Sequence, residues 1–155
     1  MTNSRRTFLL LPAALLLARC APAPKPPAVL TLTMVGSKDQ NPDPGGNPAP
    51  VAVQVYQLAA SAKFESSDWT ALTQNEVATL GQDETAPSQQ CVVGPGETQT
   101  KTFELKAGTQ NIGVIVLYRD IDHAQWRAMA PAASSGPTKL TLNIAKLAIT
   151  LQPTK

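Results

Sequence analysis

The chain has 155 residues, of which 43% are apolar, 5% aromatic and 15% charged, with 14 Pro and 9 Gly. That length fits one domain of ordinary size, and the sparse charge and few rings exclude a nucleic-acid binder built on clustered Lys/Arg and stacking. One histidine and two cysteines, Cys20 and Cys91, exclude a structural zinc site made by this chain alone. The formal charge of +2 comes from 13 basic and 11 acidic residues, and three of the basic ones (Arg5, Arg6, Arg19) precede Cys20. The body of the protein is therefore slightly acidic, and the basic balance belongs to the leader rather than to a binding surface.

Residues 1–19 have the features of a signal peptide. Met1 to Arg6 carries the positive charge, and Phe8 to Ala18 is an apolar run broken only by Pro12. The run is shorter than the ~20 residues needed to span a bilayer and fits a secretory h-region. Leu17-Ala18-Arg19-Cys20 resembles a bacterial lipobox, with Arg19 standing where a small residue is usual, so Cys20 is the expected lipidation site. Ser4-Arg5-Arg6-Thr7-Phe8-Leu9 also resembles the twin-arginine export motif, which leaves the export route open. Residues 20–28 then form a spacer. Pro22, Pro24, Pro26 and Pro27 favour extended polyproline II and forbid a helix. No Asp follows Cys20 as an inner-membrane retention signal, which favours the periplasmic face of the outer membrane. With lipid on Cys20, Cys91 is an unpaired thiol; a Cys20–Cys91 disulfide is the alternative in an oxidising compartment.

Residues 29–155 have the pattern of a β domain. Leu30, Leu32 and Met34 alternate with Thr31 and Thr33, and Val51, Val53 and Val55 share a face opposite Tyr56 and Leu58. Gln90-Cys91-Val92-Val93 has a strand-like context, and Phe103 and Leu105 follow a Gly94-Pro95-Gly96 turn. Ile112 to Tyr118 is apolar almost throughout, as in a strand buried on both faces. Leu140-Leu142-Ile144 and Leu147-Ile149-Leu151 close the chain, with a parity flip at Ala145-Lys146 that marks a bulge or a tight reversal. About seven strands predict an all-β, two-sheet sandwich. A helical insertion over about 64–81 interrupts them. Ser66 or Ser67 serves as its N-cap, Asp68 lies in the first turn, and Gly81 is the C-cap. Trp69 and Leu72, then Val77 and Leu80, supply apolar edges to pack on a sheet.

Lys38 to Pro50 is too long for a hairpin turn and carries no apolar anchor. Four prolines stiffen it and Gly45-Gly46 bends it, so it should project into solvent, either as a tolerated insertion or as a recognition loop on a rigid scaffold. A catalytic set is not evident. His123 stands alone, Cys91 sits where a buried inert thiol is common, and no G-x-S-x-G, P-loop or G-x-G-x-x-G occurs. Arg119, Asp120 and Asp122 suggest a strand-end turn in which Arg119 pairs with a carboxylate. Trp126-Arg127 is either core edge or partner surface.

The ordered set of these pieces resembles the type VI secretion system outer-membrane lipoprotein family, known as TssJ, SciN or VasD-like. The residues that carry the likeness are Cys20, Asn41-Pro42-Asp43 with Gly46 and Pro48, and Pro50-Val51-x-Val53-x-Val55-Tyr56-Gln57-Leu58. Phe64, Asp68-Trp69, Leu72, Leu80-Gly81, Pro95-Gly96, Ile112-Gly113-Val114, Tyr118-Arg119-Asp120-Ile121 and Trp126-Arg127 complete it. The resemblance implies a transthyretin-like sandwich anchored by lipid, with no catalytic, cofactor or metal site. It also implies that the loop between the first two strands binds the periplasmic C-terminal domain of TssM. By position those loop residues are Lys38, Asp39, Gln40, Asn41, Pro42, Asp43, Pro44, Gly45, Gly46, Asn47 and Pro48. On this reading the protein is a tether that stabilises the trans-envelope complex. Two rivals are a stand-alone periplasmic module for a small ligand or peptide, which needs a concave apolar pocket, and a transthyretin-like hydrolase, whose several histidines this chain lacks.

Overall fold

The alternation of Leu30, Leu32 and Met34 with threonines places three fully buried side chains on one face of strand β1 (Val29–Gly36). A computed structural model describes residues 25–154; the leader, Cys20 and most of the expected spacer lie outside the described residues. After β1 come β2 (Val51–Leu58), the short helices α1 (Ala62–Ser66), α2 (Trp69–Gln74) and α3 (Glu76–Leu80), and β3 (Glu84–Val93). They are followed by β4 (Thr98–Glu104), β5 (Asn111–Leu117), β6 (Arg127–Pro131), β7 (Pro137–Ile144) and β8 (Ile149–Pro153). The eight strands form two four-stranded sheets, ordered β4-β1-β7-β8 and β3-β2-β5-β6. Only β1 and β7 pair in parallel; every other pair of these strands is antiparallel.

The expected all-β sandwich is the fold, and its core is the set of alternating residues that periodicity singles out. Leu30, Leu32, Met34, Leu140, Leu142 and Ile144 from one sheet meet Val51, Val53, Val55, Ile112, Val114 and Val116 from the other. Strand β5 is buried on both faces, because Ile115 turns away from that core into a second cluster with Tyr56, Leu58, Phe64, Leu72 and Leu80. The helices thus form a third layer on the outer side of the second sheet. This layer explains why Ile112 to Tyr118 is apolar throughout rather than alternating. The parity flip at Ala145-Lys146 is a tight reversal: β7 ends at Ile144, β8 starts at Ile149, and Ala145 N–H donates to the Ala148 carbonyl at 2.8 Å.

Two details of the insertion differ from expectation. The N-cap of α2 is Asp68 rather than Ser66 or Ser67, since its carboxylate accepts the Ala71 N–H at 2.7 Å. A charged oxygen at this position also suits the positive end of the helix better than a hydroxyl. Val77 does not pack on the sheet and is 80% exposed, whereas Leu72 and Leu80 are fully buried. The 64–81 segment bends at Asn75 into separate helices, so no single stripe runs through it. Gly81 caps α3 as expected, with φ of 55°. Phe64 lies directly over Gly113 of β5, where an added Cβ would fall 2.7 Å from the ring, so the strand can carry only glycine there without displacing Phe64.

Candidate functional site

The long loop between β1 and β2 is held by polar rather than apolar anchors. Gln40 and Asn41 are 0% and 2% exposed. Gln40 Nε2 donates to the carbonyls of Val93 at 2.8 Å and Ala49 at 3.5 Å. Asn41 binds in three directions: its N–H donates to the Lys146 carbonyl at 3.0 Å, its Nδ2 to the Pro50 carbonyl at 2.8 Å, and its Oδ1 accepts the Arg119 N–H at 2.8 Å. One residue therefore ties the loop to three places: its side chain bonds to the loop's own return and to the end of β5, and its backbone N–H to the β7–β8 turn. Asn41 has a φ of 45°, a left-handed conformation that asparagine tolerates better than most residues. Gly36 makes room for this base, because a side chain there would collide with Gln40 and with the Gly94 carbonyl. Asn41→Ala leaves the Arg119 N–H and the Pro50 carbonyl without their partner and should cost about 2–3 kcal/mol of stability in urea unfolding; a change below ~0.5 kcal/mol, the range of an uninvolved surface site, would contradict the latch.

Beyond the latch the chain turns outward. Pro42 and Asp43 are half-buried, while Pro44, Gly45, Gly46, Asn47 and Pro48 are exposed, as are Lys38 and Asp39 on the incoming side. The tip closes on itself: Asp43 N–H donates to the Asn47 carbonyl at 2.8 Å, and Asp43 Oδ1 accepts the Asn47 N–H at 2.9 Å. That backbone bond, with the Asn47 amide, holds the Asp43 carboxyl below the usual carboxylate range. Gly46, at φ of 81°, completes the turn. The loop is thus an ordered projection whose stiffness comes from prolines and an aspartate-centred turn. Expectation and structure part at Gln40 and Asn41, which the sequence reading places with the solvent-facing residues and which are buried.

A groove of about 350 Å³ runs along the base of this projection, lined by Pro42, Asp43, Pro44, Arg119, Asp120 and Leu147. Arg119 does not pair with a neighbouring carboxylate as expected. Asp120 instead accepts from His123 Nδ1 at 2.7 Å, which raises the histidine pKa, and the Arg119 guanidinium stays exposed beside the groove. Tyr118 braces the far wall by sharing its hydroxyl proton between the carbonyls of Ala145 and Ala148, at 3.0 and 2.9 Å. Arg127 belongs to the core edge: Nη1 donates to the carbonyls of Phe64 and Ser67 at 2.8 and 2.7 Å, and its guanidinium lies 4.9 Å from the Trp126 ring. Cys91 is a half-buried thiol on β3 with no disulfide partner among the described residues. Among the described residues no helix is long and apolar enough to cross a membrane.

A two-sheet sandwich thus holds out one ordered, proline-stiffened loop. The sequence matches the type VI secretion lipoprotein family (VasD, EvfM, TssJ) over residues 28–147, and the chain belongs to that family. It is similar to the type VI secretion lipoprotein TssJ1 from Pseudomonas aeruginosa, with 27% identity and a TM-score of 0.79 over 84% of this chain and 98% of that one. It shares its fold with Serratia marcescens Lip, a membrane-bound component of the type VI secretion system, at 24% identity and a TM-score of 0.73 over 83% and 97% of the two chains. It also shares it with a chain in the structure of the TssM C-terminal domain from EAEC, at 23% identity and a TM-score of 0.69 over 82% and 99%. No curated protein sequence matches at a significant level.

Proposed function

We propose that this type VI secretion lipoprotein is a tether, fixed to the periplasmic face of the outer membrane through lipid on Cys20. It binds the periplasmic C-terminal domain of TssM through the loop Lys38 to Pro50, and through its tip above all. The observation that carries this reading is the loop's construction: a buried Gln40–Asn41 base supports an exposed, self-closed tip. Such a loop is ordered before it meets a partner, so docking immobilises few additional torsions. The presence of a chain of this fold in the TssM C-terminal domain structure is in keeping with that partner.

The anchor and the loop divide the work. A lipid and a stiff proline spacer confine the domain to one membrane and raise its effective concentration for a partner that reaches across the periplasm. The loop supplies recognition, and the body needs no chemistry of its own. Calorimetric titration of the protein beginning after Cys20 against the TssM domain should give saturable binding at one site. Absence of binding at concentrations well into the micromolar range would overturn the partner assignment.

A further inference from the structure

Helix α3 meets the sheet through a pair of carboxyl groups that the tether does not use. The register between β2 and β3 skips at this point: Val55 faces Gln89, then Gln57 faces Ala86, so Tyr56 is opposed by both Pro87 and Ser88. A bulge of this kind frees a backbone N–H from the ladder, and a proline is tolerated there because it has none. The freed Ser88 N–H donates to Glu76 Oε1 at 2.8 Å, and Ser88 Oγ donates to Glu76 Oε2 at 2.6 Å. Gln54 Nε2, from β2, reaches the same Oε2 at 3.3 Å. Glu76 therefore sits as an acceptor with its ligands in place: burial raises its pKa, but the bonds from Glu84, Ser88 and Gln54 together lower it below the ordinary glutamate value.

Glu84, at the start of β3, is in the opposite condition. Its Oε1 is buried without a hydrogen-bond partner, and its carboxyl lies against that of Glu76. The remaining groups around the pair are Tyr56 on β2, whose hydroxyl donates to the Leu72 carbonyl, and Lys63 with Asp83, which pair with each other at 3.5 Å. No cation bonds to either glutamate among the described residues. We propose that Glu76 and Glu84 share one proton, and that this proton fastens α3 to the bulged edge of the sheet.

Burial and the neighbouring carboxylate push the Glu84 pKa up to about 8. A pKa raised on folding means that the folded protein binds the extra proton, so the stability it confers is complete below the ordinary glutamate range and is lost as pH rises through about 8. Deprotonation leaves two carboxylates side by side, one with a buried oxygen that no donor reaches, and α3 lets go of the strand.

The test is thermal unfolding followed from about pH 6 to pH 9.5 for wild type and Glu84→Gln, with an infrared spectrum at neutral pH. Glutamine keeps a donor for Glu76 and has no charge to acquire. Wild type should lose melting temperature as pH passes through about 8, and Glu84→Gln should lose clearly less. The protonated-carboxyl stretch should be present in wild type and absent from the variant. Should Glu84→Gln fail to fold, Glu76→Gln serves instead: with the neighbouring charge removed, the fall should move to lower pH. Equal falls in wild type and variant, or no protonated carboxyl in wild type at neutral pH, would overturn the shared proton. The readout is stability, so the result is independent of whether the loop binds TssM.

Discussion

Replacing Asp43–Asn47 by Gly-Gly is expected to weaken binding of the TssM periplasmic domain at least ~100-fold, the loss of an interface hot spot, while leaving the melting temperature nearly unchanged. The two halves of the expectation come from the two halves of the loop. The residues removed are mostly exposed and bond mainly to one another, through the Asp43–Asn47 pairing. The residues retained, Gln40 and Asn41, carry the bonds to Val93, Pro50, Arg119 and Lys146. A deletion that reached into Asn41 would confound the two effects, because it would remove the latch along with the recognition surface. Wild-type affinity in the Gly-Gly variant would move the interface elsewhere on the molecule.

Phe64→Ala is expected to cost about 3–5 kcal/mol in denaturant unfolding, as for other fully buried phenylalanines. Its ring fills the space over Gly113 and packs against Tyr56, with centroids 5.3 Å apart. Glycine cannot fill the void from the strand side, and α1 is only five residues long, too short to hold its place without the contact. The Arg127 bonds to the Phe64 and Ser67 carbonyls would keep the segment near the sheet but cannot replace the lost packing. Below its melting point the variant should bind TssM with unchanged affinity, since the helical layer lies on the outer face of the second sheet and the loop at one end of the sandwich. A loss under ~1 kcal/mol would contradict the packing role of the helical layer, because that is the cost of removing a single buried methyl group rather than a whole ring.

Several features were legible in the sequence because one strong physical pattern stood behind each. Period-two alternation marks Leu30 to Met34 and Val51 to Val55. The unbroken apolar run at Ile112 to Tyr118 marks the strand covered on both sides, and the position of Gly81 marks a helix end. Strand β6 escaped because Arg127–Pro131 is short and its alanines carry little pattern. The helical segment was harder for a different reason. Asp68 competes with Ser66 and Ser67 for the same cap, and only the backbone geometry decides between them. At the candidate site the exposed tip followed from its prolines and glycines. The latch did not, because Gln40 and Asn41 look like solvent residues until three separate turns are brought against them. The same holds for Glu76 and Glu84, which stand eight positions apart on different elements, one opening α3 and the other β3.

Amide hydrogen exchange of the protein with and without the TssM periplasmic domain tests the central claim most directly. The tether reading predicts new protection at the amides of Asp43, Gly45, Gly46 and Asn47, with the two sheets unchanged. Protection confined to a sheet face or to the helical layer, with the tip exchanging as it does in the free protein, would contradict it.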